Sequence, residues 1–131
     1  MKESDFAGKF LDELQKAVEN RYQVKIVGSE QQRKGVPDYL LCLLGQWVGI
    51  EFKIERNNKI ALTPLQAKEA NKIRKSGGQS LIVAYSEKEA KILMNHFGDL
   101  PIRFEKYISI DWHVICYNYY EAVKFILELI E

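Results

Sequence analysis

Two neighbouring runs of strand-forming residues constrain the fold of this chain more than any other feature. The runs cover residues 39–44 and 47–54, are almost entirely apolar, and are separated by the dipeptide Gly45-Gln46. A two-residue loop with glycine in its first position is typical of a tight β-hairpin turn. Nearly continuous apolar runs are typical of strands covered on both faces. We therefore predict that this hairpin lies inside a sheet.

Three charged residues accompany the hairpin. Asp38 directly precedes its first strand, and Glu51 and Lys53 lie within its second strand. Side chains alternate between the two faces of a strand, so Glu51 and Lys53 share one face while Phe52 points to the other. The sequence thus predicts one face that belongs to the core and one that carries chemistry.

The position of the turn determines where Asp38 falls along the second strand. If Gly45-Gln46 forms the turn, Asp38 lies directly opposite Lys53, and Glu51 is its diagonal neighbour at roughly 7–8 Å. A loop one residue longer would turn Asp38 to the other face. The alternative to a functional cluster is an ion pair on an exposed sheet edge, but the apolar surroundings favour a site set into a buried sheet.

Two converging carboxylates repel each other unless a cation or a proton compensates their charge. Mg²⁺, or Mn²⁺ in its place, is the natural cation, because hard ions prefer oxygen ligands. We expect Asp38 and Glu51 to be metal ligands, together with the backbone carbonyl of Phe52. Such a site suits hydrolysis of phosphodiester bonds. Lys53 would orient the attacking water or neutralise charge that develops on the phosphate.

Periodicity and turn residues predict the other elements of the chain. Ser4 is the expected N-cap of the first helix, and Thr63-Pro64 has the cap-and-proline pattern of a helix start. In chain order the predictions are a helix over about 4–20, a strand over 23–28, a loop over 29–35, the hairpin, a helix over 63–75, a strand over 80–85, a helix over 87–97, extended segments around 102–110 and 114–117, and a terminal helix over about 119–130. The order is α-β-β-β-α-β, followed by an extension.

Length and composition limit the class of protein. A chain of 131 residues that is 47% apolar suits one domain with one core. No uncharged stretch approaches the roughly 20 residues of a membrane span, and the acidic N-terminus does not resemble a secretion signal. We therefore expect a cytoplasmic protein. Cys42 and Cys116 lack the spacing of a disulfide framework or zinc site and are expected to be buried free thiols.

The net charge of +1 gives no electrostatic reason by itself to expect a nucleic acid partner. Residues 51–75, however, contain seven basic and three acidic side chains, which suits a surface that faces phosphates. An ordinary solvated helix face would have the same composition. Charge alone therefore leaves both interpretations open.

Three short motifs resemble those of a known nuclease superfamily. Gly35-Val36-Pro37-Asp38, Ile50-Glu51-Phe52-Lys53 and Thr63-Pro64-Leu65-Gln66 resemble the motifs of the PD-(D/E)XK nucleases. The resemblance covers roughly residues 4–85. Within the superfamily, the chain looks most like Holliday junction resolvases of archaeal and Gram-positive type and like virus-type replication-repair nuclease domains. This implies a single α/β nuclease domain over residues 1–131, in which a restriction-endonuclease-like α-β-β-β-α-β core, with a central mixed sheet flanked by helices, is followed by an extension from about residue 86.

The resemblance also implies roles for individual residues. Asp38 and Glu51 would bind Mg²⁺, Lys53 would be catalytic, and Gln66 would lie near the site. Thr63 and Gln66 also form the pattern of a helix capping box, in which Gln66 satisfies the backbone at the helix start. The two roles of Gln66 do not exclude each other.

The superfamily adds an acidic residue from the first helix. Its pattern there, Glu followed three residues later by an apolar residue, does not map cleanly onto this chain, because counting back from Leu14 gives Leu11. Glu13 is the first choice for the catalytic acid, ahead of Asp12 and Glu19.

The implied activity is cleavage of DNA, most like the resolution of four-way (Holliday) junctions. The side chains expected to contact DNA phosphates are Arg33, Lys34, Arg56 and Lys59. Resolvases of this kind act as symmetric dimers, because a junction needs two matched cuts. A homodimer is therefore expected, with the apolar C-terminal segment as a candidate interface. The alternatives are a flap, nicking or restriction-type nuclease of the same fold, or a DNA-binding module without catalysis.

Overall fold

The structure is a computed structural model that describes residues 1–18, 21–25 and 38–131, with the backbone alone described over 21–25. Its elements are the helix α1 (Glu3–Ala17), the strands β1 (Arg21–Lys25), β2 (Tyr39–Leu43) and β3 (Gln46–Glu55), the helix α2 (Pro64–Lys75), the strands β4 (Gln79–Ser86), β5 (Lys91–Asn95) and β6 (Val114–Cys116), and the helix α3 (Tyr119–Ile130). No helix in the described ranges is long and apolar enough to cross a membrane.

The six described strands form one mixed sheet in the order β1-β2-β3-β4-β5-β6. Neighbouring strands are antiparallel except β3 and β4, which are parallel and therefore need a crossover, which α2 provides. The first six elements follow the order α-β-β-β-α-β, and helices pack on both faces. The predicted fold class is confirmed.

The two faces of the sheet pack against different helices. Phe52 of β3 meets Phe6 of α1 edge to face, with ring centroids 5.6 Å apart, in a core that α3 also joins. The opposite face, which includes Ile82 of β4, packs against α2. Glu51 pairs with Ile82, so Glu51 and, two residues on, Lys53 point to the α2 face. The predicted division of β3 into a core face and a charged face is therefore correct.

The start of α2 also matches the prediction. The Thr63 hydroxyl accepts a hydrogen bond of 3.1 Å from the Gln66 backbone N–H, and the Gln66 side-chain oxygen accepts one of 3.0 Å from the Thr63 N–H. Pro64 is the first helical residue. This reciprocal capping box determines both where the helix begins and how the Gln66 side chain is oriented.

The hairpin turn lies one residue earlier than predicted. Leu44 and Gly45 are its central residues, with φ of 50° and 81°, and Leu43 pairs with Gln46. Positive φ at both positions is typical of the turn whose twist matches that of the flanking strands. This turn keeps Leu43 fully buried and leaves Leu44 56% exposed. A leucine in this backbone region costs steric energy, which the rest of the hairpin must offset.

The earlier turn changes the predicted register. Tyr39 pairs with Ile50 at the end of the ladder, and the same register extended by one residue puts Asp38 opposite Glu51 and not opposite Lys53. The Asp38 N–H bonds to the Glu51 side chain. Moving a two-residue turn by one position shifts every partner by two residues, and an even shift leaves each side chain on its original face. The predicted pairing of Asp38 with Lys53 was wrong, whereas the shared face was right.

The helix predicted over residues 87–97 was also wrong. Residues 87–90 form a turn in which Ala90 has φ of 51°, and β5 follows. β5 pairs antiparallel with β4, and its residues Ile92 to Asn95 are buried. The composition of this segment favours a helix locally, but pairing with a buried strand overrides that preference.

The structure agrees with some of the remaining predicted elements and disagrees with others. α1 begins with Lys2 as N-cap, without a side-chain capping bond, so the prediction of Ser4 was wrong. α3 matches its predicted range, and Asn118 caps it by accepting a 2.8 Å bond from the Glu121 N–H. Within residues 102–110 the structure has a single bridge, between Ile60 and Ile108, and no strand. The predicted loop over 29–35 lies outside the described residues.

Candidate active site

The candidate site lies where β3 extends beyond β2. Tyr39, the first residue of β2, pairs with Ile50, whereas β3 continues to Glu55. On its other side, β3 remains paired with β4 through Glu55. In the described part of the chain, the end of β3 therefore has one open edge. Glu51 and Lys53 lie along this edge and Asp38 lies at its start.

Glu51 is buried and is held at both carboxylate oxygens. Its side chain is 3% exposed. Oε2 accepts a hydrogen bond of 3.0 Å from the Asp38 N–H, and Oε1 accepts one from the Gln66 side-chain amide. Burial raises the pKa of Glu51 from 4.5 to about 8; the ammonium of Lys53 opposes this rise and the carboxylate of Asp38 adds to it. Near neutral pH the ionised carboxylate therefore needs more positive charge than Lys53 provides.

The side-chain amide of Gln66 bridges Glu51 and Lys53 through hydrogen bonds. Its side-chain oxygen accepts a hydrogen bond of 3.2 Å from Lys53 Nζ as well as the capping bond from the Thr63 N–H, while its nitrogen donates to Glu51. Lys53 is 7% exposed. The capping bond and the contacts with Glu51 and Lys53 occur together, because the cap that starts α2 also orients the Gln66 amide between these two side chains.

The donor set fits a hydrated Mg²⁺ ion. Among the described residues there is no group of three or more His, Cys, Asp and Glu side chains that could hold a metal ion. Mg²⁺ does not require one, because it keeps several waters and is commonly held by one or two carboxylates. The half-buried Asp38 and the buried Glu51 provide these two carboxylates. The pKa of Glu51 is raised mainly by its burial and further by the Asp38 carboxylate, and a bound cation would offset both effects.

Glu13, the acid predicted from the first helix, does not join this cluster. Glu3 lines a cavity beside Asp38, and Glu13 follows ten residues later in α1, roughly 15 Å along the helix axis. The carboxylate of Glu13 pairs instead with Lys16 at 3.3 Å. Asp12 is exposed on the same helix. Glu19 lies outside the described residues.

The acidic residue of α1 that lies beside the site is Glu3. A cavity of about 230 Å³ is lined by Glu3, Ser4, Ala7, Asp38, Tyr39 and Phe52. The sequence contained a signal for Glu3, because Phe6 follows it three residues later and is the first apolar residue of the helix. The same spacing counted back from Leu14 gives Leu11 and therefore misses Glu3 and Phe6.

Two of the four predicted DNA contacts lie next to the site. Arg56 and Lys59 pair across a tight turn through backbone hydrogen bonds of 2.9 and 3.0 Å. Both residues line a cleft of about 700 Å³ that also includes Lys53. The other two predicted contacts, Arg33 and Lys34, lie outside the described residues.

No protein-family model matches this sequence, and no curated protein matches it either. Among solved structures, the chain is similar to Hjc, a Holliday junction resolvase from the archaeal hyperthermophile Archaeoglobus fulgidus. The TM-score is 0.55 and the sequence identity 19%, over 82% of this chain and 87% of that one. At this identity the similarity defines the class of fold, which is restriction-endonuclease-like.

Proposed function

We propose that this chain is a Mg²⁺-dependent DNA endonuclease that cleaves branched DNA, with four-way junctions as its first substrate. The observation that carries the proposal is the contact set of Gln66, whose amide joins Glu51 and Lys53 next to Asp38. Two carboxylates and a lysine, gathered at an open strand edge, are the groups that metal-assisted hydrolysis of a phosphodiester uses. The same fold in a known resolvase supports the choice of substrate.

Each side chain has a defined task in the proposed reaction. The carboxylates of Asp38 and Glu51 would hold a Mg²⁺ ion, which would act as a Lewis acid and lower the pKa of a bound water. Lys53 carries its ammonium group to the point where negative charge grows on the phosphate. Gln66 is a positioning residue, since it contacts Glu51 and Lys53 and not the reacting atoms.

The backbone carbonyl of Phe52 is the proposed third protein ligand. In a two-residue hairpin, the pair of residues that flanks the turn is hydrogen-bonded, and here that pair is Leu43 and Gln46. The backbone N–H and C=O of every second residue of β3, counted from Gln46, therefore face β2. Phe52 belongs to this series and lies two residues past Ile50, the last described partner of β2. We therefore expect its carbonyl to face the open edge at which Asp38 lies.

The proposed partner is DNA, bound through its backbone. Arg56 and Lys59 lie in the cleft that begins at Lys53, where they can hold phosphates on either side of the scissile bond. Arg33 and Lys34 are proposed as further phosphate contacts. Contacts of this kind position DNA without reading its sequence. DNA affinity should therefore fall steeply as salt concentration rises, because bound phosphates release their counterions.

A homodimer is part of the proposal for four-way junctions. Two matched cuts in strands related by a twofold axis need two active sites related by the same axis. The C-terminal segment, in which Ile115 of β6 is 50% exposed, is the proposed interface. Light scattering after size exclusion should report twice the chain mass, and a monomer at working concentration would contradict this part of the proposal.

The proposal is tested with labelled four-way junction, flap and linear duplex substrates, each incubated with and without Mg²⁺. We expect paired nicks in the junction that need Mg²⁺ and are absent with the Asp38→Ala variant. Preferential cleavage of the flap would assign the alternative, a flap or nicking nuclease with the same site. Equal cleavage of all three substrates would contradict structure specificity, and binding without cleavage under every condition would leave only a DNA-binding module.

A further inference from the structure

A cleft begins at Lys53 of the candidate active site, near the end of β3. It has a volume of about 700 Å³ and runs from Lys53 and Ile54 to Tyr107. This volume lies within the range of roughly 300–1,000 Å³ that is typical of small-molecule sites. The cleft is therefore large enough for one nucleotide, and hydrolysis at Asp38 and Glu51 does not by itself require it.

A short pairing of two chain segments builds the outer wall of the cleft. Ile60 and Ile108 exchange two backbone hydrogen bonds of 2.9 Å, and both side chains are buried in the core under α2. Because side chains alternate along extended segments, the residues next to this pair point outward. Ala61 and Tyr107 are such neighbours, and both line the cleft. The pairing thus fixes the position of Tyr107 relative to Lys53.

The charge of the cleft favours an anion. Its described lining contains five cationic groups and a single carboxylate, that of Glu3; the cationic groups are the N-terminus of Met1, Lys2, Lys53, Arg56 and Lys59. The Met1 ammonium is paired with Glu87 at 2.8 Å, and the Arg56 guanidinium lies 3.9 Å from the same carboxylate oxygen. The three lysine side chains still outnumber the Glu3 carboxylate, and Arg56 shares Glu87 with Met1, so a phosphate that enters the cleft meets complementary charge.

Tyr107 adds an aromatic surface to this basic cleft. Its side chain is 53% exposed, and Lys106 Nζ lies 5.3 Å from its ring centroid. An aromatic ring beside basic groups is the combination that proteins use to bind single-stranded nucleic acid, because the base stacks on the ring while the phosphate is neutralised. In a duplex each base is already stacked on its neighbours, so paired DNA cannot use the ring in this way.

We propose that the cleft binds one unpaired nucleotide of the DNA strand next to the scissile phosphate, with its base stacked on Tyr107 and its phosphate held by Arg56 and Lys59. This inference rests on the proposed function and adds to it a preference for substrates with an unpaired nucleotide at the branch. A flap, a gap or a junction opened at its centre offers such a nucleotide. A fully paired linear duplex does not.

The test uses photocrosslinking in EDTA, so that no strand is cut. A flap oligonucleotide carries 5-iodouracil at the unpaired position next to the branch, and the same base is paired in a control duplex. We expect irradiation to join the flap to Tyr107, as mapped by mass spectrometry, and the duplex to give no crosslink there. A crosslink confined to other residues, or equal yields from flap and duplex, would overturn the inference.

Affinity measurements separate the ring from the fold. Tyr107→Ala should weaken flap binding about fivefold to tenfold, as expected for loss of one base–aromatic stack, and leave duplex binding unchanged. Tyr107→Phe keeps the ring and should keep the affinity. The matched control is Phe104→Ala, which removes another exposed aromatic ring, 93% exposed, from a position outside the lining of the cleft. Equal loss from Tyr107→Ala and Phe104→Ala would overturn the inference.

The two proposals fail in different ways. If the protein cleaves junctions with Mg²⁺ but Tyr107→Ala keeps the full preference for unpaired DNA, the nucleotide site is wrong and the nuclease stands. If the crosslink forms at Tyr107 but no DNA is cleaved with Mg²⁺, the nuclease is wrong and the nucleotide site stands.

Discussion

The backbone N–H of Asp38 donates a 3.0 Å hydrogen bond to the Glu51 carboxylate, so the start of β2 and the middle of β3 meet at one acidic group. This bond fixes the position of the first carboxylate residue relative to the second. The bond by itself favours the ionised carboxylate, but burial of Glu51 outweighs it and makes ionisation costly.

The stability of the metal-free protein should depend on the ionisation of Glu51. Burial raises its pKa from 4.5 to about 8. The folded state therefore holds a proton that the unfolded chain releases, and the associated stability is full below pH 4.5 and is lost as pH rises through 8. In EDTA, the free energy of unfolding should fall by a few kcal/mol from about pH 5 to about pH 9. Urea denaturation measures this fall.

The control for this prediction is Glu51→Gln, which cannot ionise and keeps a similar shape. Its free energy of unfolding should be flatter over the same pH range, and above pH 8 it should exceed that of the wild type. Parallel pH profiles for the two proteins would show that Glu51 is not the titrating group.

Replacing Lys53 should remove cleavage and preserve the fold. In Lys53→Gln the ammonium that faces the phosphate is lost, which should lower the single-turnover rate about 10²- to 10³-fold, as for loss of one preorganised donor. The pKa of Glu51 should rise further, because Lys53 is the charge that lowers it. Circular dichroism checks the fold. A variant that cuts at the wild-type rate would remove Lys53 from the mechanism.

The two roles of Gln66 can be separated by comparing it with Thr63. Thr63→Ala loses one hydrogen bond of the capping box and should cost about 1 kcal/mol of stability with little effect on cleavage. Gln66→Ala loses the cap together with the contacts to Glu51 and Lys53, and should lower the cleavage rate about 10- to 100-fold. If both variants cut equally well, Gln66 is only a cap.

The acid that α1 contributes is tested by a pair of variants. Glu3 lines the cavity beside Asp38, whereas Glu13 pairs with Lys16 further along the helix. Glu3→Gln should lower the cleavage rate about tenfold, as for loss of a group that supports a metal site, and Glu13→Gln should have no effect. The reverse ranking would restore Glu13 as the catalytic acid.

Local rules predicted those parts of the site that depend on alternation and capping. Glu51 and Lys53 share a face because side chains alternate along any strand, whatever its register. Gln66 is oriented by the helix start that Thr63-Pro64 specifies. These features depend on a few neighbouring residues, and the sequence alone was enough to predict them.

Features that depend on distant packing were not predictable in the same way. The turn at Leu44-Gly45 follows from how the two whole strands pair, and the shift from Gly45-Gln46 keeps every side chain on its face, so the apolar pattern does not distinguish the two turns. β5 is a strand because β4 offers it an edge, and no local pattern in residues 87–97 reveals that edge. Glu3 and Phe6 fit the spacing of the expected acid, but which end of α1 approaches Asp38 follows only from how the helix packs on the sheet.

The most direct test of the nuclease assignment is the rate at which the purified protein cuts a labelled four-way junction as Mg²⁺ is titrated from zero after EDTA treatment. The proposed site predicts no cleavage without the ion, a saturable rise in rate as it is added, and no rise for the Asp38→Asn variant at any concentration. Cleavage that persists in EDTA, or that is equal in wild type and Asp38→Asn, would contradict a metal site built on Asp38 and Glu51.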